Sequence, residues 1–317
     1  MPKVRIGIDM MGGDYAPSEA VKGLALYLND DTIETLIYCI GSETEMVPLL
    51  QSHGIQYDER IEIVHAPEII GYNEHPTKAL REKQKSSIAI GFHLLSTGKI
   101  DAFVSAGNTG AMLVGAMYSI KTVDGVLRPT IPTLVPKLNG NTGLLLDVGM
   151  NADCKPEHLN QFAILGSQYA ESVLDIENPR VGLLNVGEEA EKGNLLCQAT
   201  YPLLKENKQI NFIGNIEGRD LFKDKADVVV CDGFTGNIVL KMAESIYEIA
   251  AHRHLEDDEY LHRFHYENYG GTPILGIAKP VIIGHGISND KAFKNMLIQA
   301  MQMAESDFCG KVKTDFA

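Results

Sequence analysis

The sequence predicts an α/β fold, a three-layer α/β/α sandwich on a largely parallel sheet. Short apolar runs rich in Val and Ile have the length of strands buried on both faces. Most are separated by stretches of helical periodicity, which gives the alternation of a doubly covered sheet with right-handed crossovers. Polar, glycine-containing loops follow the strands directly, where open α/β sheets bind their ligands.

The first strand, near Val4–Ile8, runs into Asp9-Met10-Met11-Gly12-Gly13-Asp14 and a helical pattern over Pro17–Leu28. Strands near Leu36–Ile40 and Ile61–His65 follow, then a helical pattern over Thr77–Ser96. Asp101–Val104 opens into Ser105-Ala106-Gly107-Asn108-Thr109-Gly110, and Gly143–Leu146 into Asp147-Val148-Gly149-Met150-Asn151. In Pro156–Leu174 a proline stands at the first helical position, and Leu159, Phe162, Ala163, Gly166, Tyr169, Ala170 and Val173 share one face. Val181–Asn185 runs into Val186-Gly187-Glu188-Glu189-Ala190-Glu191-Lys192-Gly193 and a helix over Asn194–Glu206. Asn211–Ile213 leads into Gly214-Asn215-Ile216-Glu217-Gly218-Arg219-Asp220, and Val228–Cys231 into Asp232-Gly233-Phe234-Thr235-Gly236-Asn237, with a helix over Gly236–Ala251. A strand at Val281–Ile283 and a helix over Asn289–Ser306 close the pattern. Polar glycine loops on one edge of one sheet would form a single large cleft. Residues 1–317 are expected to form one catalytic domain with an inserted helical excursion at about 244–267. Its part from His252 to Glu267, four histidines among acids, reads as solvated surface, and a metal site there is not expected.

A chain of 317 residues with 44% hydrophobic content can bury a large core. Its 28 basic against 42 acidic residues, net −14, exclude non-specific nucleic-acid binding, which needs an excess of cations over the phosphates. Cys39, Cys154, Cys197, Cys231 and Cys309 are scattered, without a C-x-x-C pair, and read as reduced thiols. There is no run of signal-peptide type and none of membrane-spanning length, so a cytoplasmic location is expected. The phosphate-loop, complete dinucleotide-loop, zincin and serine-elbow patterns are missing, and no cofactor or metal is expected.

Tight turns use Gly and Asn because both tolerate positive φ, so one such loop carries little information. Together the loops place Asn108, Asn151, Asn185, Asn215 and Asn237 with acids and the cations Lys155, Lys192 and Arg219 at strand ends, a pocket suited to an anionic substrate. Lys78, Arg81, Lys83 and Lys85 spread over one side of the Thr77–Ser96 helix and suit a phosphate group or an acidic partner.

These motifs, with Asp153-Cys154-Lys155-Pro156-Glu157-His158, Asn268-Tyr269-Gly270-Gly271 and His285-Gly286, strongly resemble the bacterial phosphate acyltransferase family of the PlsX type, in order from about residue 3 to about residue 305. The resemblance implies a fold like that of isocitrate/isopropylmalate dehydrogenases and phosphotransacetylases. It also implies a homodimer that makes acyl-phosphate from long-chain acyl-acyl carrier protein and inorganic phosphate for phospholipid synthesis. A phosphotransacetylase-like enzyme using acyl-coenzyme A and a non-catalytic scaffold for acyl carrier protein are the alternatives. The chain departs from the family pattern at Met150 and between Lys241 and Tyr269, a region shorter than in many relatives, where it is associated with the membrane. The acids Glu256, Asp257, Asp258 and Glu259 stand there, so membrane contact is expected to be weak and peripheral.

Phosphate dianion is a competent nucleophile and a thioester is activated, so the reaction needs no serine nucleophile. Lys192 and Arg219 are expected to hold phosphate, helped by the backbone of Gly12, Gly13 and Gly107–Gly110, with Asp14, Arg81, Lys83, Asn108, Thr109, Asn151, Lys155 and Glu217 binding substrate. Asn185, Asn215 and Asn237 are candidate oxyanion or phosphate donors, and Asp232, Glu188 and Asp14 are expected to orient the cations. Glu188 or His285 would protonate the leaving thiolate.

Overall fold

The computed structural model describes residues 4–30, 32–55, 60–255 and 257–317; Glu256, counted above among the acids, lies outside them. The chain forms two compact units, one holding residues through Lys121 together with Tyr266–Cys309, the other Thr122–His265 together with Gly310–Ala317.

The first unit is built from β1 (Val4–Asp9), α1 (Ser18–Leu28), β2 (Thr35–Gly41), α2 (Glu43–Ser52), β3 (Ile61–His65), α3 (Pro76–Glu82), α4 (Ser87–Ser96), β4 (Ala102–Ser105) and α5 (Thr109–Gly115). A π-helical turn over Ala116–Ile120 continues α5. The second unit follows with β5 (Pro132–Pro136), β6 (Thr142–Leu146), α6 (Pro156–Val173), β7 (Arg180–Asn185), α7 (Leu195–Glu206), β8 (Asn211–Glu217), β9 (Val228–Val230), α8 (Gly233–His252) and α9 (Glu259–His262). The first unit resumes with β10 (Gly271–Pro273), β11 (Val281–Gly284) and α10 (Asp290–Glu305), and α11 (Phe308–Asp315) ends the chain.

The first sheet has the order β10-β11-β4-β1-β2-β3 and the second β5-β6-β9-β7-β8. The expectation of one sheet is corrected here. The apolar runs are strands, but they are shared between two sheets, and the glycine loops form two groups accordingly. Periodicity identifies a buried strand without saying which sheet it joins. Sequence also missed β5 and β10. Each is the antiparallel edge of its sheet, and each carries proline, which marks a run as an edge or non-strand. All other pairings are parallel, so the inner strands are buried on both faces, the edge strands β3 and β8 only in part, and the parallel strands' carboxyl ends share one edge in each sheet.

All seven residues foreseen on the inner face of α6 are buried. The helix approaches its sheet at Gly166, where a Cβ would stand 2.8 Å from Val228. The Thr77–Ser96 pattern is two helices, because the chain turns at Lys83–Ser86 and Ser86 Oγ accepts the Ala89 N–H to start α4. The excursion after α8 is solvated only in its first part: His252–Leu255 and Asp257–Glu259 are exposed, and the residues that follow pack down. Phe264 is buried with its ring 5.3 Å from that of Phe222, Tyr247 packs on His262 and His265, and Arg263 donates to the Lys137 and Asn141 carbonyls.

A matching device ties the amino-terminal edge of each sheet. Asp101 accepts the Arg5 backbone N–H at 2.9 Å, its Nε at 3.0 Å and its Nη2 at 2.6 Å. In the second unit Asp227 accepts the same three groups of Arg180 at 2.9, 2.8 and 2.9 Å. There Lys137, 1% exposed, adds its Nζ 2.7 Å from Asp227 Oδ1. Burial pushes the Asp227 carboxyl up, but hydrogen bonds from Arg180 and Lys137 outweigh it and hold the group well below the usual carboxylate range.

A depressed folded-state pKa contributes stability above the unfolded value of 3.8 that is lost as pH falls through the folded one. The unfolding free energy is therefore expected to drop as pH falls below about 4, and Asp227→Asn to flatten that dependence. Asp227→Ala leaves the buried Lys137 only the more distant Asp224, at 3.5 Å, and is expected to cost about 3–5 kcal/mol at neutral pH, measured by urea unfolding.

Candidate active site

In the first unit the loops after β1, β4 and β11 leave neighbouring strands at the carboxyl edge. The chain leaves β1 in opposite directions toward β2 and β4, the switch point where α/β sheets open a crevice. Asp9 ends β1, is buried, and accepts the Ser105 hydroxyl at 2.7 Å and the Met11 N–H at 3.0 Å. Burial pushes its carboxyl up, against hydrogen bonds from Ser105, Ser87, Met11 and Gly12 that pull it down. The two loops interlock so closely that a Cβ on Gly12 would stand 2.7 Å from the Gly107 nitrogen. Asp14 donates its N–H to the Gly286 carbonyl at 2.7 Å, which joins the third loop to the first. The Tyr72 hydroxyl donates to the Ala106 carbonyl at 2.9 Å, and burial with the nearby Asp14 and Asp9 pushes it up to about 12.

The loops after β6, β9, β7 and β8 line up likewise in the second unit. Asp147 is buried and gathers N–H groups from Ile131, Met150 and Asn151. Asp232 caps α8 through the Thr235 N–H and hydroxyl at 2.9 and 2.8 Å. In the loop after β7, Asn185 donates to the Lys192 carbonyl at 3.1 Å, and Gly193 has a φ of +94° that favours glycine. Lys192 itself is exposed and makes no ion pair among the described residues. After β8, Arg219 ion-pairs with Glu217, an interaction that raises its pKa.

Glu188, Glu217 and Asp220 bring carboxylate oxygens within 4.8 Å of one another. Among the described residues they are a group with the donor chemistry to hold a hard cation. Each already faces a side-chain cation: Lys225 lies 2.5 Å from Glu188 and 3.1 Å from Asp220, Lys223 lies 2.9 Å from Asp220, and Arg219 faces Glu217. The arrangement is a neutralised charge network on the loop that carries Arg219.

Several residues singled out from sequence have partners within the protein. Asn108 is a structural cap: its Oδ1 accepts the Ala111 N–H at 2.9 Å and its Nδ2 faces the Gly71 and Tyr72 carbonyls. Asn151 turns its Nδ2 to the Pro129 carbonyl and Asp147 at 2.8 and 2.9 Å, and Asn237 donates to the Val148 carbonyl at 3.1 Å. Glu188 holds Lys225 rather than Lys192 or Arg219, and Asp232 holds a helix end. Lys83 ion-pairs with Glu74 at 2.6 Å in the turn between α3 and α4, so the four cations do not lie on one helical face. Asn215 keeps a buried Oδ1 without a hydrogen-bond partner among the described residues while its Nδ2 donates to the Glu189 carbonyl at 2.8 Å. Thr109, Arg81, Lys155 and His285 are exposed, Lys155 at the cap position of α6. Sequence missed Lys225, because Lys223-Asp224-Lys225 between two strands reads as a solvated turn.

The pattern of the family described as "Fatty acid synthesis protein" matches residues 4–311. Phosphate acyltransferases of Dictyoglomus turgidum and Aquifex aeolicus are each 42% identical to it over 328 residues, covering 98% of this chain and 96% of theirs. The chain belongs to the phosphate acyltransferase family. A phosphotransacetylase from Streptococcus pyogenes shares the fold with a TM-score of 0.67 at 18% identity, covering 96% of this chain and 94% of its own. As a phosphate acyltransferase the chain is a transferase on an α/β/α architecture, and no described helix is long and apolar enough to cross a membrane.

If Asn108 is a cap and not a substrate ligand, Asn108→Ala is expected to lower stability by about 1–2 kcal/mol in urea unfolding. The phosphate concentration giving half-maximal acyl transfer is expected to stay within about twofold of the unmutated value.

Proposed function

We propose that this chain transfers the acyl group of long-chain acyl-acyl carrier protein to inorganic phosphate, yielding acyl-phosphate and free carrier protein for phospholipid synthesis. The observation that carries the reading is the 42% identity to phosphate acyltransferases over 98% of the chain. A phosphate oxygen attacks the thioester carbonyl carbon, the C–O bond forms, and the tetrahedral oxyanion collapses as the C–S bond breaks and the thiolate takes a proton. The reaction balances without nucleotide or redox partner.

The enzyme's task is then to hold phosphate and the oxyanion in line and away from water. Lys192 and Arg219 are the proposed phosphate ligands. The first is an exposed cation without a counter-ion among the described residues, on a loop fixed by Asn185, and the second is aimed by Glu217. Asn215 and the backbone N–H groups of the glycine loops supply donors to the developing charge, and of Glu188 and His285 the latter is the proposed source of the thiolate's proton, because Glu188 is ion-paired to Lys225. The carrier protein is proposed to dock on Lys78, Arg81 and Lys85, which are exposed on and after α3.

The active form is proposed to be a homodimer. Phe234, Ile238, Met242 and Ile249 are exposed along one stripe of α8, at spacings that form a helix–helix seam. Asp257, Asp258 and Glu259 follow that helix, which keeps membrane contact weak and peripheral.

The test of the reaction is release of free carrier protein from acyl-acyl carrier protein with and without phosphate; loss of thioester at the same rate without phosphate would overturn it. Lys192→Ala and Arg219→Ala are each expected to raise the half-saturating phosphate concentration by about tenfold or more, from about 1.5–3 kcal/mol per charge-assisted contact. Unchanged phosphate kinetics in both would remove them from the site. For the dimer, Ile238→Glu with Met242→Glu is expected to convert the chain to monomer in sedimentation equilibrium, and an unchanged mass would contradict the α8 seam.

A further inference from the structure

The first unit carries a groove of about 460 Å³, within the range of small-molecule clefts, that none of the glycine loops lines, although Arg81 of the proposed carrier-protein face stands on its rim. Its walls come from α3, α4, α5 and the π-helical turn. Leu80, Ala89, Phe92, Val114 and Tyr118 give it an apolar lining. Phe92 is 2% exposed and edge-on to Phe103, with ring centroids 5.3 Å apart. The ring lies so close to α5 that a Cβ on Gly115 would stand 2.2 Å from it. The floor is therefore rigid and cannot collapse to fill the space.

The rim is polar and one-sided in charge. Arg81, Gln84 and His93 line the groove with Thr77, Ser96 and Ser119, and no carboxylate is among the lining residues, although the chain has 42 acids to 28 basic residues. Arg81 makes no ion pair among the described residues. The π-helical turn is a second, independent observation. Such turns are rare and concentrate at functional sites, and this one sets Tyr118, 75% exposed, in the groove wall. A rigid apolar floor beneath an unpaired guanidinium is complementary to an apolar chain with an anionic head.

We propose that this groove binds a single-chain amphiphile with an anionic head group, its head against Arg81 and its chain along Leu80, Phe92, Val114 and Tyr118. The choice of the acyl-phosphate class as natural ligand rests on the proposed reaction, while the groove's selectivity for an anionic amphiphile does not.

The chain contains no tryptophan, so Tyr118→Trp places a single reporter in the groove at an exposed position. Titration of that variant with dodecyl phosphate below its micelle concentration is expected to give a saturable blue shift of the emission. Calorimetry on the unmutated chain is expected to give the same midpoint. Arg81→Glu in the reporter background is expected to raise the midpoint about tenfold or more, the size of one charge-assisted contact. Dodecyltrimethylammonium and inorganic phosphate alone are expected to give no saturable shift. Absence of saturable binding by both methods, equal binding of the cationic amphiphile, or a midpoint unmoved by Arg81→Glu would overturn the proposal. Acyl transfer is assayed on the same preparation: binding without transfer sinks the proposed reaction and leaves the groove, and transfer without binding does the reverse.

Discussion

Each sheet depends on one carboxylate at its amino-terminal edge that takes the backbone N–H and the guanidinium of an arginine on the neighbouring strand. Arg5 and Asp101 stand one residue before the first paired positions of β1 and β4, Ile6 and Ala102; Arg180 and Asp227 stand one before Val181 and Val228 of β7 and β9. A parallel strand that slips by one residue turns its whole side-chain set over, so fixing these residues fixes the register. Register in turn decides which residues emerge at the carboxyl edge. The charged pairs that stabilise the sheets and the polar loops that serve chemistry therefore occupy opposite ends of the same strands.

The loops show a second division of labour. Asp9 and Asp147 are buried at strand ends and hold backbone N–H groups, so they shape the loops from below. The cations stand above them in different states. Lys192 has no counter-ion among the described residues, whereas Arg219 and Lys225 lie in a network with Glu188, Glu217 and Asp220 that neutralises them in place. Such a network aims a guanidinium without leaving a field that would attract every anion equally, while a free lysine is available to meet the substrate.

Much of the fold was legible from the residues because parallel strands leave unmixed apolar runs and α6 repeats its inner face with the helical period. What escaped was non-local. Prolines bracket β5 and end β10, which disguises two edge strands, and nothing local in Leu144–Leu146 or Val281–Ile283 says that they belong to different sheets. The site was legible as a set of loops and less so as a set of roles. Asn108, Asn151 and Asp232 are the residue types that bind anions and also the types that cap helices and close turns, and only their hydrogen bonds decide between the uses. Lys137 and Lys225 escaped for the opposite reason: one buried and one partnered lysine look like solvated charges in sequence. The family resemblance came from the order and spacing of the loops, which is the part of the pattern that side-chain partners leave untouched.

The central claim is that phosphate oxygen itself attacks the thioester. Acyl-acyl carrier protein incubated with phosphate carrying heavy oxygen at all four positions, followed by mass analysis of the acyl product, tests it most directly. The account predicts acyl-phosphate that retains all four labelled oxygens, with free carrier protein formed in equal amount. Free fatty acid as the first product, or acyl-phosphate that has lost labelled oxygen, would contradict it.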